Sequence, residues 1–268
     1  MRTHQKIQIT NLLLLILGFI ILLSCETDHG LEPIRSGISG TIKYIGKWPP
    51  NTAEVRLVAA TKFPPSDLED LIIGDILPIG GDTTDYTFYL KQGDYYIGVV
   101  WREREAAWGI QSIFGIYFEG DNKFSPGLVT IPDDYSIIPN KNIEADFANA
   151  KRASNSRISG TVTFIGNWPD SSENVMVIAA NKFPPESLLN FSFSSLLPVN
   201  MDSVNYFISA APDTYRAVGA VLKLIDKPWS LESIIGICFE GNPPKPKEVI
   251  VPDENSLIEG INFPVYFR

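Results

Sequence analysis

The sequence predicts an all-β chain built as two tandem sandwiches, and three observations carry that prediction. Apolar residues alternate with polar or small ones at a period of two, in short runs bounded by Gly, Pro or Asp, as half-buried strands do. The runs occur twice, in the same order, about 120 residues apart. No long helical period interrupts them, and strands recurring at this spacing indicate sandwiches.

In the first repeat the opening strand is marked by Ile38, Gly40, Ile42 and Tyr44. Its counterpart carries Ile158, Gly160, Val162 and Phe164. Val55, Leu57 and Ala59 continue the alternation, then Tyr86, Phe88 and Leu90, then Tyr96, Gly98 and Val100. Gln92-Gly93-Asp94 and Ala211-Pro212-Asp213 read as tight turns between neighbouring strands. Residues 128–131 and 143–147 supply closing strands, matched by 249–251 and 261–266. Between Phe63 and Thr83 the alternation fails. Ser66-Asp67-Leu68-Glu69 there has the spacing of a capping box. It predicts a short helix over about 67–72 that lays Leu68, Leu71 and Ile72 on one end of the sandwich. The second repeat lacks that cap, which predicts a looser segment over 187–197.

The duplication is read directly from the letters. Ile38-Ser39-Gly40-Thr41 recurs as Ile158-Ser159-Gly160-Thr161, and Lys62-Phe63-Pro64-Pro65 as Lys182-Phe183-Pro184-Pro185. Trp48-Pro49 answers Trp168-Pro169, Tyr96 answers Tyr215, and Trp108 answers Trp229, with one-residue slips at loops. A period this long is a repeated domain and not a solenoid unit. The expected organisation is a first repeat over 37–148, a polar linker over 149–156 and a second repeat over 157–268. Residues 31–148 and 156–268 are expected to fold separately.

Ahead of the repeats, Arg2 and Lys6 precede an apolar run from Leu12 to Leu23, closed by Ser24 and Cys25. A basic start, an apolar core and a small-residue cleavage site form a secretory signal, too short to span a membrane. The segment resembles a bacterial lipoprotein signal, with Leu22-Leu23-Ser24-Cys25 as its lipobox. That resemblance implies a signal peptide over 1–24, diacylglycerol on the Cys25 thiol, and a lipidated tether over 25–36. Several acyl chains then hold the protein on the membrane, with the outer membrane of the cell envelope favoured because Glu26 follows the cysteine.

Within each repeat, Ile-Ser-Gly-Thr opening a strand and the later Gly93-Asp94-Tyr95-Tyr96 and Pro212-Asp213-Thr214-Tyr215 turns resemble carboxypeptidase-regulatory-like domains. These belong with transthyretin-like sandwiches. The resemblance implies a Greek-key sandwich and a presenting or binding role, and it carries over no functional residue. The chain departs from it in the long 63–83 segment.

Composition removes several function classes. The formal charge is −9, and removal of residues 1–24 with Arg2 and Lys6 makes it −11. Such a chain has no electrostatic footprint for nucleic acid, so the expected membrane contact is lipid on Cys25. Cys238 is the only cysteine left for the folded part, so no disulfide within the chain is expected. Set in an apolar run, it reads as a small buried hydrophobe. The only histidines, His4 and His29, fall in the signal and the tether. That argues against histidine-based nucleophile triads and the usual zinc sites.

The candidate ligand-binding residues are aromatic: Trp48, Trp168, Trp101, Trp108 and Trp229. A tryptophan face stacks on a sugar ring when exposed, whereas a buried one plugs a sandwich end, the reading that the weight of large aromatics in cores favours. Glu119 and Glu240, each in Phe-Glu-Gly, offer a carboxylate per repeat with no evident catalytic partner. Asp133-Asp134 and Asp253-Glu254 read as solvated turns, since calcium needs more oxygens than two adjacent side chains aim at one point. No catalytic residue, metal or cofactor is expected. The predicted function is a non-catalytic envelope lipoprotein whose paired sandwiches bind or present a glycan or an envelope protein. The alternative is a carbohydrate-binding accessory module that works with a separate enzyme.

Overall fold

A computed structural model describes residues 35–65 and 68–267. The lipobox cysteine, most of the tether and the Ser66-Asp67 pair of the expected cap lie outside them. The described residues are all β, with strands and short 3-10 turns and no α-helix among them. Residues 35–268 form one compact unit.

In the first repeat the strands are β1 (Gly37–Ile45), β2 (Thr52–Ala60), β3 (Leu71–Ile76), β4 (Thr83–Tyr89), β5 (Gly93–Glu103), β6 (Ile113–Ile116), β7 (Leu128–Ile131), β8 (Ile137–Ile138) and β9 (Ile143–Asp146). Their order is β3-β2-β5-β6-β9-β1-β4, with β7 paired to β5 and β8 to β1. The path folds over at a single pair, Gly115 against Ala145. A Cβ on Gly115 would stand 3.0 Å from the Ala145 Cβ, so glycine is what lets the two layers meet there. Between the layers lie Ile38, Ile42, Val55, Leu57, Ile97, Val99, Phe114, Ile143 and Ala145, none more than 3% exposed. In β4, exposed and buried residues alternate along the whole strand, which is the alternation the sequence displays. The pairing of β1 with β9 is parallel.

The second repeat has β10 (Arg157–Ile165), β11 (Ser172–Ala180), β12 (Phe191–Phe193), β13 (Ser203–Ser209), β14 (Asp213–Tyr215), β15 (Ala217–Leu224), β16 (Ile234–Ile237), β17 (Phe239–Glu240), β18 (Lys245–Pro246), β19 (Val249–Val251), β20 (Leu257–Ile258) and β21 (Phe263–Tyr266). One layer runs β12-β11-β15-β16, and the other centres on β10 with β13, β20 and β21. Ile158, Val162, Val175, Val177, Ile208, Tyr215 and Val218 fill the space between them, each fully buried.

Three sequence expectations change. The helix over 67–72 is a single 3-10 turn, Leu68–Asp70, followed at once by β3. The free edge of β2 offers backbone partners from Ala60↔Leu71 to Arg56↔Ile76, and a strand satisfies more groups there than one helical turn would. The second repeat is not looser. Its equivalent turn, Leu188–Asn190, keeps a cap made by other residues: Ser187 accepts from the Leu189 N–H, and Asn190 accepts from the Ser187 N–H. Finally, Tyr215 corresponds to Tyr95 and not to Tyr96. Tyr95 pairs with Val129 and Tyr215 with Val249, and both rings are core. Arg216 is the extra residue that divides β14 from β15 and shifts the phase.

Outside its main core the second repeat carries a further apolar layer. Met176, Ile178 and Val221 are buried there under Phe191, Phe193, Trp229 and Ile234. The first repeat docks on this layer. The Phe63 ring stands between Tyr96 of its own repeat, at 5.7 Å, and Phe193, at 5.9 Å. Phe124 meets Phe191 at 6.3 Å. The Leu188 N–H donates to the Lys123 carbonyl, and the Asn122 side-chain amide to the Trp229 carbonyl. From the linker, Arg152 reaches Glu103 on one side and Glu254 on the other.

Candidate binding cleft

The repeated tryptophans occupy equivalent places. Trp48 packs 4.7 Å from Tyr44 and 4.7 Å from Phe147, and its indole N–H donates to the Gly81 carbonyl at 2.9 Å. Trp168 packs 4.4 Å from Phe164 and 4.7 Å from Phe267, and donates to the Met201 carbonyl at 3.2 Å. Both are half-buried against their cores. The stacking partners Phe147 and Phe267 stand at the same 120-residue offset, a signal already present in the letters.

The other three aromatics sit elsewhere. Trp101 is 5% exposed, faces the core and donates to the Thr52 hydroxyl. Trp108 is half-buried, with the Arg102 guanidinium 5.5 Å from its ring. That guanidinium also binds Glu54, which Arg56 grips from its other side. Burial alone would raise the Glu54 carboxyl, but the two arginines prevail and hold it below the usual carboxylate range. Trp229 lies on the outer apolar layer of the second repeat.

The remaining candidates are placed plainly. Glu119 is exposed, and Glu240 pairs with Lys245 at 3.6 Å. Asp133 accepts from the Tyr135 N–H and the Ser136 hydroxyl, and Asp253 from the Asn255 N–H. These bonds, the backbone N–H first, hold both carboxyls low. Cys238 is 2% exposed, and burial pushes its thiol up. Among the described residues no group of three or more His, Cys, Asp or Glu side chains could hold a metal ion. No helix among them is long and apolar enough to cross a membrane.

A concavity where the two repeats meet was not foreseen from the sequence. It encloses about 540 Å³, within the range of ligand sites. The first repeat contributes Phe118, Lys123, Asn142, Glu144 and Asp146, the linker Asn149, and the second repeat Asn181, Lys182, Glu186 and Asn190. Much of this set is already engaged. Asp146 accepts from the Ala148 N–H through one carboxylate oxygen, Asn142 accepts from the Thr41 N–H, and Lys182 pairs with Glu186. One group is not. Asn181 donates to Asp213 through its amide nitrogen, while its Oδ1 is buried with no partner. A buried acceptor without a donor carries a desolvation cost. The signal missed in the sequence is the recurrence of asparagine at 142, 149, 181 and 190, which only the packing of the repeats brings to one place.

No family model matches this chain, and no curated protein matches it. Solved structures do. One described as a "putative adhesin" from Bacteroides ovatus shares 12% identity, covering 85% of this chain and 92% of that one, with a TM-score of 0.25. The fimbrial anchor protein Mfa2 from Porphyromonas gingivalis also shares 12%, over 69% and 78%, with a TM-score of 0.22. A third, from Bacteroides thetaiotaomicron and described among "putative polysaccharide binding proteins", shares 12% over 87% and 91%, with a TM-score of 0.21. Similarity this low assigns neither a site nor a ligand.

Proposed function

We propose that this chain is a non-catalytic lipoprotein of the bacterial envelope, held by lipid on Cys25, whose cleft between the repeats binds a neutral polyhydroxylated ligand such as a glycan. The observation that supports this reading is the cleft itself, with its four asparagines. Amide side chains both donate and accept, as do sugar hydroxyls. Carboxylates at Glu144, Asp146 and Glu186 accept hydroxyl protons and outnumber the Lys123 and Lys182 ammoniums in the lining, so the cleft offers an anionic ligand no net attraction. The half-buried faces of Trp48 and Trp168 belong in this proposal as rims at the sandwich ends and not as its centre.

The test is titration of the full chain in detergent with a panel of neutral and acidic oligosaccharides. A neutral glycan should bind, and Asn149→Arg and Glu144→Ala should each weaken it at least tenfold while thermal unfolding stays within a few degrees. Binding unchanged by both variants would place the ligand elsewhere. No binding across the panel would count against the glycan reading.

A further inference from the structure

The contact that joins the two repeats leaves one unused half at each end of the molecule. Phe63 is the knob of that contact. It is half-buried and Pro64 is buried, because both lie against the second repeat. The equivalent loop of the second repeat repeats the same letters, Lys182-Phe183-Pro184-Pro185. Among the described residues nothing covers it: Phe183 is 45% exposed and Pro184 is exposed, beside Arg216, Lys245 and Pro246.

The receiving half behaves the same way in reverse. Phe63 seats on Phe193, which pairs with Ile178 in the sheet. The matching pair in the first repeat is Ile73 with Val58. There, β3 is the terminal strand of its sheet. Its Ile73 is 46% exposed and Ile76 59% exposed. An exposed apolar edge strand is a feature that proteins otherwise cover or charge.

We propose that the chain associates with itself head to tail, the Phe183 loop of one molecule seating on Ile73 of the next as Phe63 seats on Phe193 within the chain. Such a contact uses different surfaces on the two partners, so it propagates from molecule to molecule, as a ring where the rotation between neighbours closes and as an open chain where it does not. The second repeat has Pro243 and Pro244 in the loop where the first carries Phe124. With Ile73 standing where the contact inside the chain has Phe193, the contact between molecules therefore lacks both aromatic pairs and is weaker than the one inside the chain. Both ends are exposed, so aspartate at either leaves the fold intact.

The test uses tagged and untagged full chains in excess detergent, with capture of one by the other as the readout. Wild-type chains should capture each other. Phe183→Asp should fail to capture Phe183→Asp, and Ile73→Asp should fail with Ile73→Asp, each by at least tenfold. Mixing the two variants should restore capture, because each keeps the half that the other has lost, and the product should stop at a dimer. Wild-type chains that do not capture one another overturn the proposal. So does undiminished self-capture by Phe183→Asp, which would point to symmetric pairing of β3 edges. Failure of the mixed variants to pair overturns it as well.

Discussion

Gly40 lies directly across the sheet from Tyr86, and the two residues serve one backbone carbonyl. A Cβ at Gly40 would stand 2.5 Å from the Lys141 oxygen, the same oxygen that accepts the Tyr86 hydroxyl. The second repeat builds the identical device from Gly160, Tyr206 and Ile261. There a Cβ would come to 2.1 Å of the carbonyl oxygen, and the hydroxyl donates at 2.6 Å. Burial pushes both tyrosine hydroxyls well above their ordinary range, so they remain donors at any physiological pH.

Gly160→Ala must therefore push the backbone at Ile261 away, and overpacking against main chain costs about 1–3 kcal/mol. Tyr206→Phe leaves the Ile261 carbonyl buried and unpaired, at about 1–2 kcal/mol. The two changes act on one carbonyl. The double variant should cost less than the sum of the singles in a denaturation series.

The Ser-Gly-Thr letters were legible as a strand start, but the reason for the glycine was not, because residue 141 lies a hundred positions away. The same limit applies throughout. Alternation located β1, β2, β4 and β5, since period-two burial is a local property. It missed β3, whose Ile72 and Ile73 are both exposed and break the alternation. The cleft was illegible because its asparagines come from both repeats, and nothing local says how the repeats dock. The extra residue at Arg216 was visible only as a drifting phase, and strand pairing was needed to place it.

Trp48 and Trp168 each close a sandwich end with two aromatic neighbours and one hydrogen bond. Alanine at either site should destabilise the chain by about 2–4 kcal/mol, somewhat under the usual loss for a fully buried aromatic. Chemical denaturation of each single variant measures it. A loss below about 1 kcal/mol with binding abolished would instead make these rings the ligand platform.

Cys25→Ser tests the anchor. With the thiol gone, no diacylglycerol can be attached, and the chain should either leave the membrane or keep its uncleaved signal. Fractionation with a mass measurement of the amino terminus distinguishes these forms. A variant processed normally that still resists washing from membranes would show an anchor other than this cysteine.

Lys151 carries the clearest pH signature. Its side chain is 13% exposed on the wall of a second, apolar cavity at the seam between the repeats, lined by Phe63, Ile113, Phe191 and Phe193, with the ammonium 3.5 Å from Asp213 and 5.2 Å from the Tyr215 ring. Burial pushes its pKa down, and the attraction of Asp213 opposes that without cancelling it. Between the lowered folded value and the unfolded value of about 10.4, the unfolded chain holds a proton that the folded chain has released. Stability then rises with pH across that window. Above the unfolded tyrosine value of about 10, Tyr215, raised by burial to about 12, acts the other way, because the unfolded chain releases that proton first. As pH rises toward about 10 the wild-type chain should thus gain stability relative to a chain without this ammonium. Lys151→Met should lose that gain. At pH 7 the variant should match or exceed the wild type by about 1 kcal/mol, since an apolar isostere removes the desolvation cost of the charge, while Asp213 keeps its bond from Asn181. Unfolding midpoints at matched ionic strength read both effects, and a wild-type profile that gains nothing on the Lys151→Met profile as pH rises toward about 10 would mean that the ammonium stays charged in the seam.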